Sequence, residues 1–349
     1  MLPLDSHIYA WYSHQISQLY EKIILGHRVD ECVLAYRALG KSNIDFSKEV
    51  FDKIEQKAPC TALAFDLSKF FDNIDHYKLK QAWCEILEVI KLPEDHYKVY
   101  KSITNYAYVD RNAVFEEFGI NELQNIKDKK RICSVKEFRE RVRGKGLIQI
   151  NKEKFGIPQG SPISAVLSNI FLLEFDKFMT QYAYEINGIY RRYCDDILWI
   201  CPQQYTENIK SFVDKEIQRY GKNLFLNNEK TETSEFKIIN NCLVGSPPLQ
   251  YLGFVFDGQY RLIRPQTLAR YYGRMKAGVR ARVIVASKAG ASQIYRKSLY
   301  ENYSHLGSKN FIKYAYRSSI TMESQAIRHQ VRKHWKKLHQ EINNRMQSP

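Results

Sequence analysis

Two aspartates stand side by side in the run Tyr190-Arg191-Arg192-Tyr193-Cys194-Asp195-Asp196-Ile197-Leu198-Trp199-Ile200. Apolar, β-favouring residues on both sides predict strand, tight turn, strand. Two adjacent carboxylates at such a tip are costly to shield from water unless a cation neutralises them. Taken alone, the tetrapeptide reads equally well as a solvated turn. A second acidic strand end shifts that balance: Thr61-Ala62-Leu63-Ala64-Phe65-Asp66 again delivers an aspartate at the end of an apolar strand. A fold that joins the two ends places Asp66, Asp195 and Asp196 where a pair of Mg²⁺ ions, about 3.5–4 Å apart, would serve in-line phosphoryl transfer.

A chain of 349 residues exceeds the usual single domain, so two or three lobes are expected. No apolar run approaches the roughly 18–20 residues that span a membrane. The first residues, Met1-Leu2-Pro3-Leu4-Asp5, lack the basic and apolar regions of a signal peptide. The seven cysteines are scattered and never spaced as Cys-x-x-Cys, which favours reduced thiols over a disulfide framework or a zinc site. Together these predict a cytoplasmic protein without membrane attachment. Charge is placed unevenly. Residues 261–349 hold 19 Lys/Arg against 3 Asp/Glu, whereas the first 260 residues hold 34 against 35. A basic lobe beside a neutral body points to a phosphate-backbone partner.

Along the chain, Ile8, Trp11, Tyr12, Ile16, Leu19, Tyr20 and Ile23 recur at helical spacing, and a break near Gly26 precedes a second amphipathic helix around Phe46 to Ile54. Arg37 and Lys41, between them, are available to grip a triphosphate. Five residues after Asp66, Phe71 offers a ring to the sugar of a bound nucleotide, and such a wall excludes a 2′-hydroxyl. Asp75 or Asn73 then caps a helix through Leu79, Trp83 and Leu87. The tyrosines Tyr97, Tyr100, Tyr106 and Tyr108 lie near Lys98 and Lys101, a pattern found where bases stack on rings. Two basic runs, Lys127–Arg131 and Arg141–Gly146, read mainly as solvated faces. In Gly156-Ile157-Pro158-Gln159-Gly160-Ser161-Pro162, glycines and prolines enforce a shaped loop open to close approach, feeding a helix with Leu167, Ile170, Phe171 and Phe175. A helix from Ile209 to Tyr220 follows the hairpin. Lys230 is a candidate general acid for the leaving pyrophosphate. Leu249–Phe256 reads as a short hairpin with Gly253 as a turn signal. Beyond Pro265 the chain reads as basic helices, and Arg270, Arg274, Arg332, Lys333, Lys336 and Lys337 are candidate contacts to a nucleic-acid backbone, the last four on one helix from Arg328 to Lys337.

At these residues the sequence resembles the bacterial reverse transcriptases of the retron, group II intron and phage-defence group, over residues 5–260. Tyr36 to Asp45 is similar to their fingers segment, Asp66 to His76 to the first palm motif, and Gly156–Pro162 to the loop that positions template and nucleotide. Tyr193-Cys194-Asp195-Asp196 fits the Tyr-x-Asp-Asp signature, Lys230 a later palm motif, and Tyr251-Leu252-Gly253 the primer grip. The resemblance implies an α+β polymerase with short fingers (1–60), a palm (61–260, with a fingers insertion about 91–160) and a basic helical thumb (261–349). It implies Asp66, Asp195 and the Leu67 carbonyl as ligands to two Mg²⁺ (or Mn²⁺) ions supported by Asp196. It also implies Gln159 and Gly160 in the nucleotide pocket and Phe71 as the sugar gate. Template RNA (a noncoding RNA among the candidates), DNA product and dNTPs are the implied partners, with a protein partner or second copy where the fingers are short. The additional N-terminal basic motif of many relatives is not evident. Template-independent or protein-primed synthesis, open to a chain with 24 tyrosines, and a non-catalytic RNA-binding, maturase-like scaffold are the competing expectations.

Overall fold

The computed structural model describes residues 3–120 and 131–347. The strands among these residues are β1 (Cys60–Asp66), β2 (Ala107–Val109), β3 (Ile148–Ile150), β4 (Ile189–Tyr193), β5 (Asp196–Cys201), β6 (Glu232–Ile239), β7 (Cys242–Ser246), β8 (Leu249–Tyr251), β9 (Phe254–Phe256) and β10 (Arg261–Ile263). The chain divides into two compact units, each made of several segments. The fold is α+β, as expected.

The first unit comprises residues 1–36, 67–178 and 213–225. Its helix Pro3–Leu25 ends at the break foreseen near Gly26. Helix His76–Ile86 starts where the Asp75 carboxylate accepts from the Lys78 N–H at 2.9 Å, satisfying an orphan donor of the first turn. The same helix ends on a Schellman pair, Val89 N–H to Cys84 O and Glu88 N–H to Glu85 O, with Glu88 left-handed at φ 56°. That conformation costs a residue with a Cβ, and exposed Glu88 has no compensating contact in the motif. Glu88→Gly is therefore expected to stabilise this unit by about 1 kcal/mol, read as an upward shift in its denaturation midpoint. A shift downward would show that the glutamate side chain matters more than its backbone strain.

The helix expected after residue 162 is two helices, Ser164–Phe171 and Leu173–Glu185, parted at Leu172. Tyr100 belongs to the core, its hydroxyl donating to His76 O at 2.9 Å, so it is not a base-stacking platform. Arg141 and Lys145 both bond Glu117, which commits two of the charges in the 141–146 run to the protein itself. Of the other basic run, residues 127–130 lie outside the described residues.

The second unit comprises residues 37–66, 179–212 and 226–349. It is built on an antiparallel sheet of order β4-β5-β1-β6-β7. β1 lies at its centre and is buried on both sides, as an apolar run without alternation requires. A second sheet, β10-β9-β8, follows in sequence. Helix Asn43–Lys57 covers them through Phe51, whose ring stacks on Phe256 at 4.9 Å, with Phe236 on Phe256 at 5.6 Å. The helix begins with a capping box between Ser42 and Asp45. Among the described residues after 264 the regular elements are all helices, joined by short irregular segments. The single closing helix expected over Arg328–Lys337 is two helices, Gln325–Val331 and His334–Gln347, and Arg332 and Lys333 fall in the break.

Candidate active site

The acidic edge is formed by strand register. β1 pairs antiparallel with β5 so that Asp66 lies opposite Asp196, and β4 pairs with β5 so that Tyr193 lies opposite Asp196. Cys194 and Asp195 are thus the two residues of a hairpin turn, with Cys194 left-handed at φ 62°, as the first position of a tight primed turn demands. Beneath the tip lies Arg192, fully buried, whose Nη1 donates to Cys194 O at 3.0 Å. A charged group in that position fixes the turn through its backbone carbonyl. Sequence reasoning overlooked Arg192, although it shares the strand parity of buried Tyr190 and so was due to point inward. Tyr193 packs toward Phe46, ring centroids 6.1 Å apart.

Lys230 reaches the same edge. Its Nζ donates to both carboxylate oxygens of Asp66, at 3.0 and 3.2 Å, and that hydrogen bond holds its pKa above the ordinary lysine value. Asn227 N–H donates to Asp66 O at 2.8 Å, so the segment carrying Lys230 is tied to the end of β1. Asp196 remains open to solvent at the surface, yet its pKa is pushed up to about 6. Loss of water around the carboxyl is the largest cause, then the charges of Asp195 and Asp66, opposed by Lys230 and Arg264.

That shift has a stability consequence. The charged form is disfavoured in the fold, so the penalty is absent below the unfolded value near pH 4 and full above about pH 6. In metal-free buffer Asp196→Asn is expected to raise stability at pH 7–8 by about 1 kcal/mol, a figure discounted for solvent screening, and to change nothing near pH 4. Denaturant titrations at the two pH values check this. An equal gain at both would mean that charge repulsion is not the cause.

Several observations bear on a divalent cation. Three carboxylates belong to one strand edge, among the described residues one ammonium lies on them, and one carboxyl is driven toward protonation. The Tyr251 hydroxyl is buried without a hydrogen-bond partner, and after burial the charge that most affects it is Asp196. Among the described residues no three acidic, imidazole or thiol groups already form a closed metal cage. Mg²⁺ does not need one, because it is commonly held by one or two carboxylates with waters and substrate phosphates completing the shell. The donor set fits.

The hairpin Leu249–Phe256 closes through Leu252 and Gly253, both at positive φ (45° and 93°), a two-residue turn that glycine makes affordable at its second place. Three contacts clamp its tip: Asn43 Nδ2 to Leu252 O at 3.0 Å, Ser47 Oγ to Tyr251 O at 3.3 Å, and Arg264 N–H to Gly253 O at 3.0 Å. The same Asn43 amide donates to Tyr314 OH at 3.0 Å. The Tyr251 ring is buried, so the tip of the hairpin and its backbone are what this segment offers to a strand.

In the first unit the structure joins two predicted pieces. Ile157 N–H donates to Phe71 O at 2.9 Å, Gly156 N–H to Ile74 O at 2.8 Å, and the His76 ring Nε2 bonds Gly156 O at 2.7 Å. Gly156 is required there: its φ is +90°, and a Cβ would come within 2.9 Å of Asp72 O. The segment after Asp66 and the 156–160 loop are therefore one body. Phe71 is half-buried beside Phe70 (centroids 5.5 Å), and Gln159 and Gly160 are exposed at the loop tip. The Leu67 side chain is buried in this unit.

Elsewhere in the second unit Arg37 is half-buried, and Lys41 is exposed and paired with Glu49. Arg270 and Arg274 are exposed on helix Pro265–Lys288. Arg332, Lys333, Lys336 and Lys337 are exposed, with the Lys337 Nζ 4.1 Å from the Tyr272 ring centroid, so that the last helix lies along the first of this basic region. Among the described residues no helix is long and apolar enough to cross a membrane.

An antiparallel sheet with two acidic strand ends, backed by helices and followed by a basic helical region, is an α+β polymerase fold. The model of the family described as "Reverse transcriptase (RNA-dependent DNA polymerase)" matches residues 15–256, and the chain belongs to that family. No curated protein matches it. Similar solved structures include apo telomerase from Candida tropicalis (TM-score 0.47, 13% identity, 95% of this chain and 51% of that one). Another is telomerase from Candida albicans in complex with the TWJ fragment of telomeric RNA (0.46, 13%, 96% and 54%). The chain spans about half the length of these structures.

Proposed function

We propose that the protein is an RNA-directed DNA polymerase of the retron, group II intron and defence-associated kind, copying RNA, a dedicated noncoding RNA among the candidates, in the cytoplasm. The register that sets Asp66 opposite Asp196, with Asp195 at the adjoining turn, carries the reading. The ordered motifs from Asp66 to Gly253 support the subgroup, in which antiviral defence is a natural setting.

Asp66 and Asp195 would hold two Mg²⁺ ions, with the Leu67 carbonyl as a further ligand and Asp196 in support. When bound, the metal supplies a lowered pKa for the primer 3′-hydroxyl and neutralises charge on the triphosphate. The protein's own contributions follow from its contacts. Lys230 keeps its ammonium beside Asp66, so a proton is at hand for the leaving pyrophosphate. Arg37 and Lys41 flank the triphosphate. Gln159 and Gly160 present the loop tip to the nucleotide, and Phe71, braced by Ile157, bars a 2′-hydroxyl. The Leu252-Gly253 turn holds the primer end, while the basic helices grip the duplex backbone through Arg270, Arg274, Arg332, Lys333, Lys336 and Lys337.

The test is primer extension on purified protein with co-purifying RNA retained, comparing dNTPs with NTPs, with and without Mg²⁺, and sequencing the product. Mg²⁺-dependent DNA complementary to RNA is the expected result. DNA without templated sequence, or incorporation of NTPs at the same rate, would overturn the reading.

A further inference from the structure

We infer that Arg264 is a binding residue for the phosphodiester backbone of the primer strand, next to the reacting end. The inference rests on the polymerase reading above, and specifically on the Leu252-Gly253 turn as the holder of the primer.

Arg264 sits at the junction between β10 and helix Pro265–Lys288, where it is the N-cap. Its backbone N–H donates to Gly253 O at 3.0 Å, so the residue is bonded directly to the tip of the hairpin. Its side chain is exposed and is oriented by a neighbour: Nε donates to Gln266 Oε1 at 3.1 Å. The two terminal amino groups have no hydrogen-bond partner among the described residues. This contrasts with Arg261, at the start of β10, whose guanidinium is consumed by Asp52 and Glu55 at 2.7 Å each. An exposed arginine held at Nε, with both outer nitrogens free, presents the fork that matches two phosphate oxygens.

Two further features favour an anion at this place. Arg264 caps a helix of 24 residues, whose N-terminal partial positive charge adds to its own. Its charge is also felt at Asp196, so it lies within electrostatic reach of the acidic edge without being paired to it. A cation so placed balances the repulsion between a phosphodiester and three carboxylates. The sequence alone gives no hint, because Arg264 is one of many arginines and its distinction is the bond to Gly253.

The experiment measures affinity for a labelled primer–template hybrid in metal-free buffer, so that chemistry is not involved, and separately the KM for dNTP. Arg264→Gln is expected to weaken the hybrid about tenfold and to lower the slope of log affinity against log salt by about 1, leaving the dNTP KM unmoved. Arg264→Lys, which keeps charge but not the fork, should recover part of the loss and also shows that the fold tolerates change at this position. Neutral methylphosphonate linkages at the last two primer positions should abolish the difference between wild type and Arg264→Gln, whereas the same linkages in the template should preserve it. Unchanged hybrid affinity overturns the proposal. So does a raised dNTP KM with intact hybrid affinity, which would put the guanidinium on the triphosphate. A wild type that binds the hybrid through Arg264 yet never extends it would uphold this contact and refute the polymerase reading instead.

Discussion

Asp195→Asn is expected to reduce nucleotide incorporation at least about 10³-fold, because it removes a charge from the centre of a metal-assisted phosphoryl transfer while conserving shape. Hybrid affinity should stay within about twofold, since phosphate contacts come from the basic helices and not from the acidic edge. Fold stability should hold or rise slightly, because Asp195 adds to the repulsion that drives up the Asp196 pKa. Incorporation kinetics, hybrid binding and a denaturant titration on one preparation separate these effects. If the variant incorporates nucleotides at the wild-type rate, the two-carboxylate mechanism is wrong. If incorporation and hybrid binding are lost together with stability, the turn is structural.

The second large effect is on stability. Arg261→Ala is expected to destabilise the second unit by about 3 kcal/mol, the range for breaking a largely buried ion pair. The Arg261 side chain is only 11% exposed and bonds Asp52 and Glu55, both at 2.7 Å, on helix Asn43–Lys57. Its backbone carbonyl accepts from Ser324 Oγ at 2.7 Å. The substitution leaves two carboxylates one helical turn apart, of which Lys48 neutralises only Asp52 well. By contrast Lys98→Ala, which breaks a pair with Glu94 exposed by 74% and 83%, should cost less than about 0.5 kcal/mol. With two units a single unfolding midpoint is ambiguous, so hydrogen exchange in β10 and helix Asn43–Lys57 is the sharper measurement. Loss of protection there with little change in helix His76–Ile86 is the expected pattern. A loss below about 0.5 kcal/mol would show that water screens this network as it does the surface pair.

Much of the site could be read from local pattern. An apolar run ending in Asp66, apolar residues around Asp195-Asp196, and glycines and prolines through 156–162 each follow from backbone rules that operate within a few residues. The misreadings have one origin. Residue type places Tyr100 among base-stacking tyrosines, and its ring is buried. The basic helix expected over Arg328–Lys337 is broken at Arg332-Lys333 because local helix preference does not register where the chain must turn to pack Ile327 and Leu338 into two different clusters. Charge counts likewise missed Arg192, which works as a buried brace.

Whereas β2, β3, β6, β7 and β10 were legible only in the structure, the sequence by itself determined the strand ending at Asp66, the strands and tight turn around Asp195-Asp196, the hairpin Leu249–Phe256, a cap at Asp75 or Asn73 and the gathering of positive charge after residue 260. Those depend on side-chain alternation, turn chemistry and composition, all of which are local or additive. Tertiary structure alone decided that Asp66 faces Asp196 across about 130 residues of chain. It also decided that Lys230 lies on Asp66 and that Arg264 is bonded to Gly253. A strand's alternation says which face is buried but not which strand will be its neighbour. That choice is made by packing the whole sheet at once, where one residue of slip would turn every apolar side chain to the wrong face.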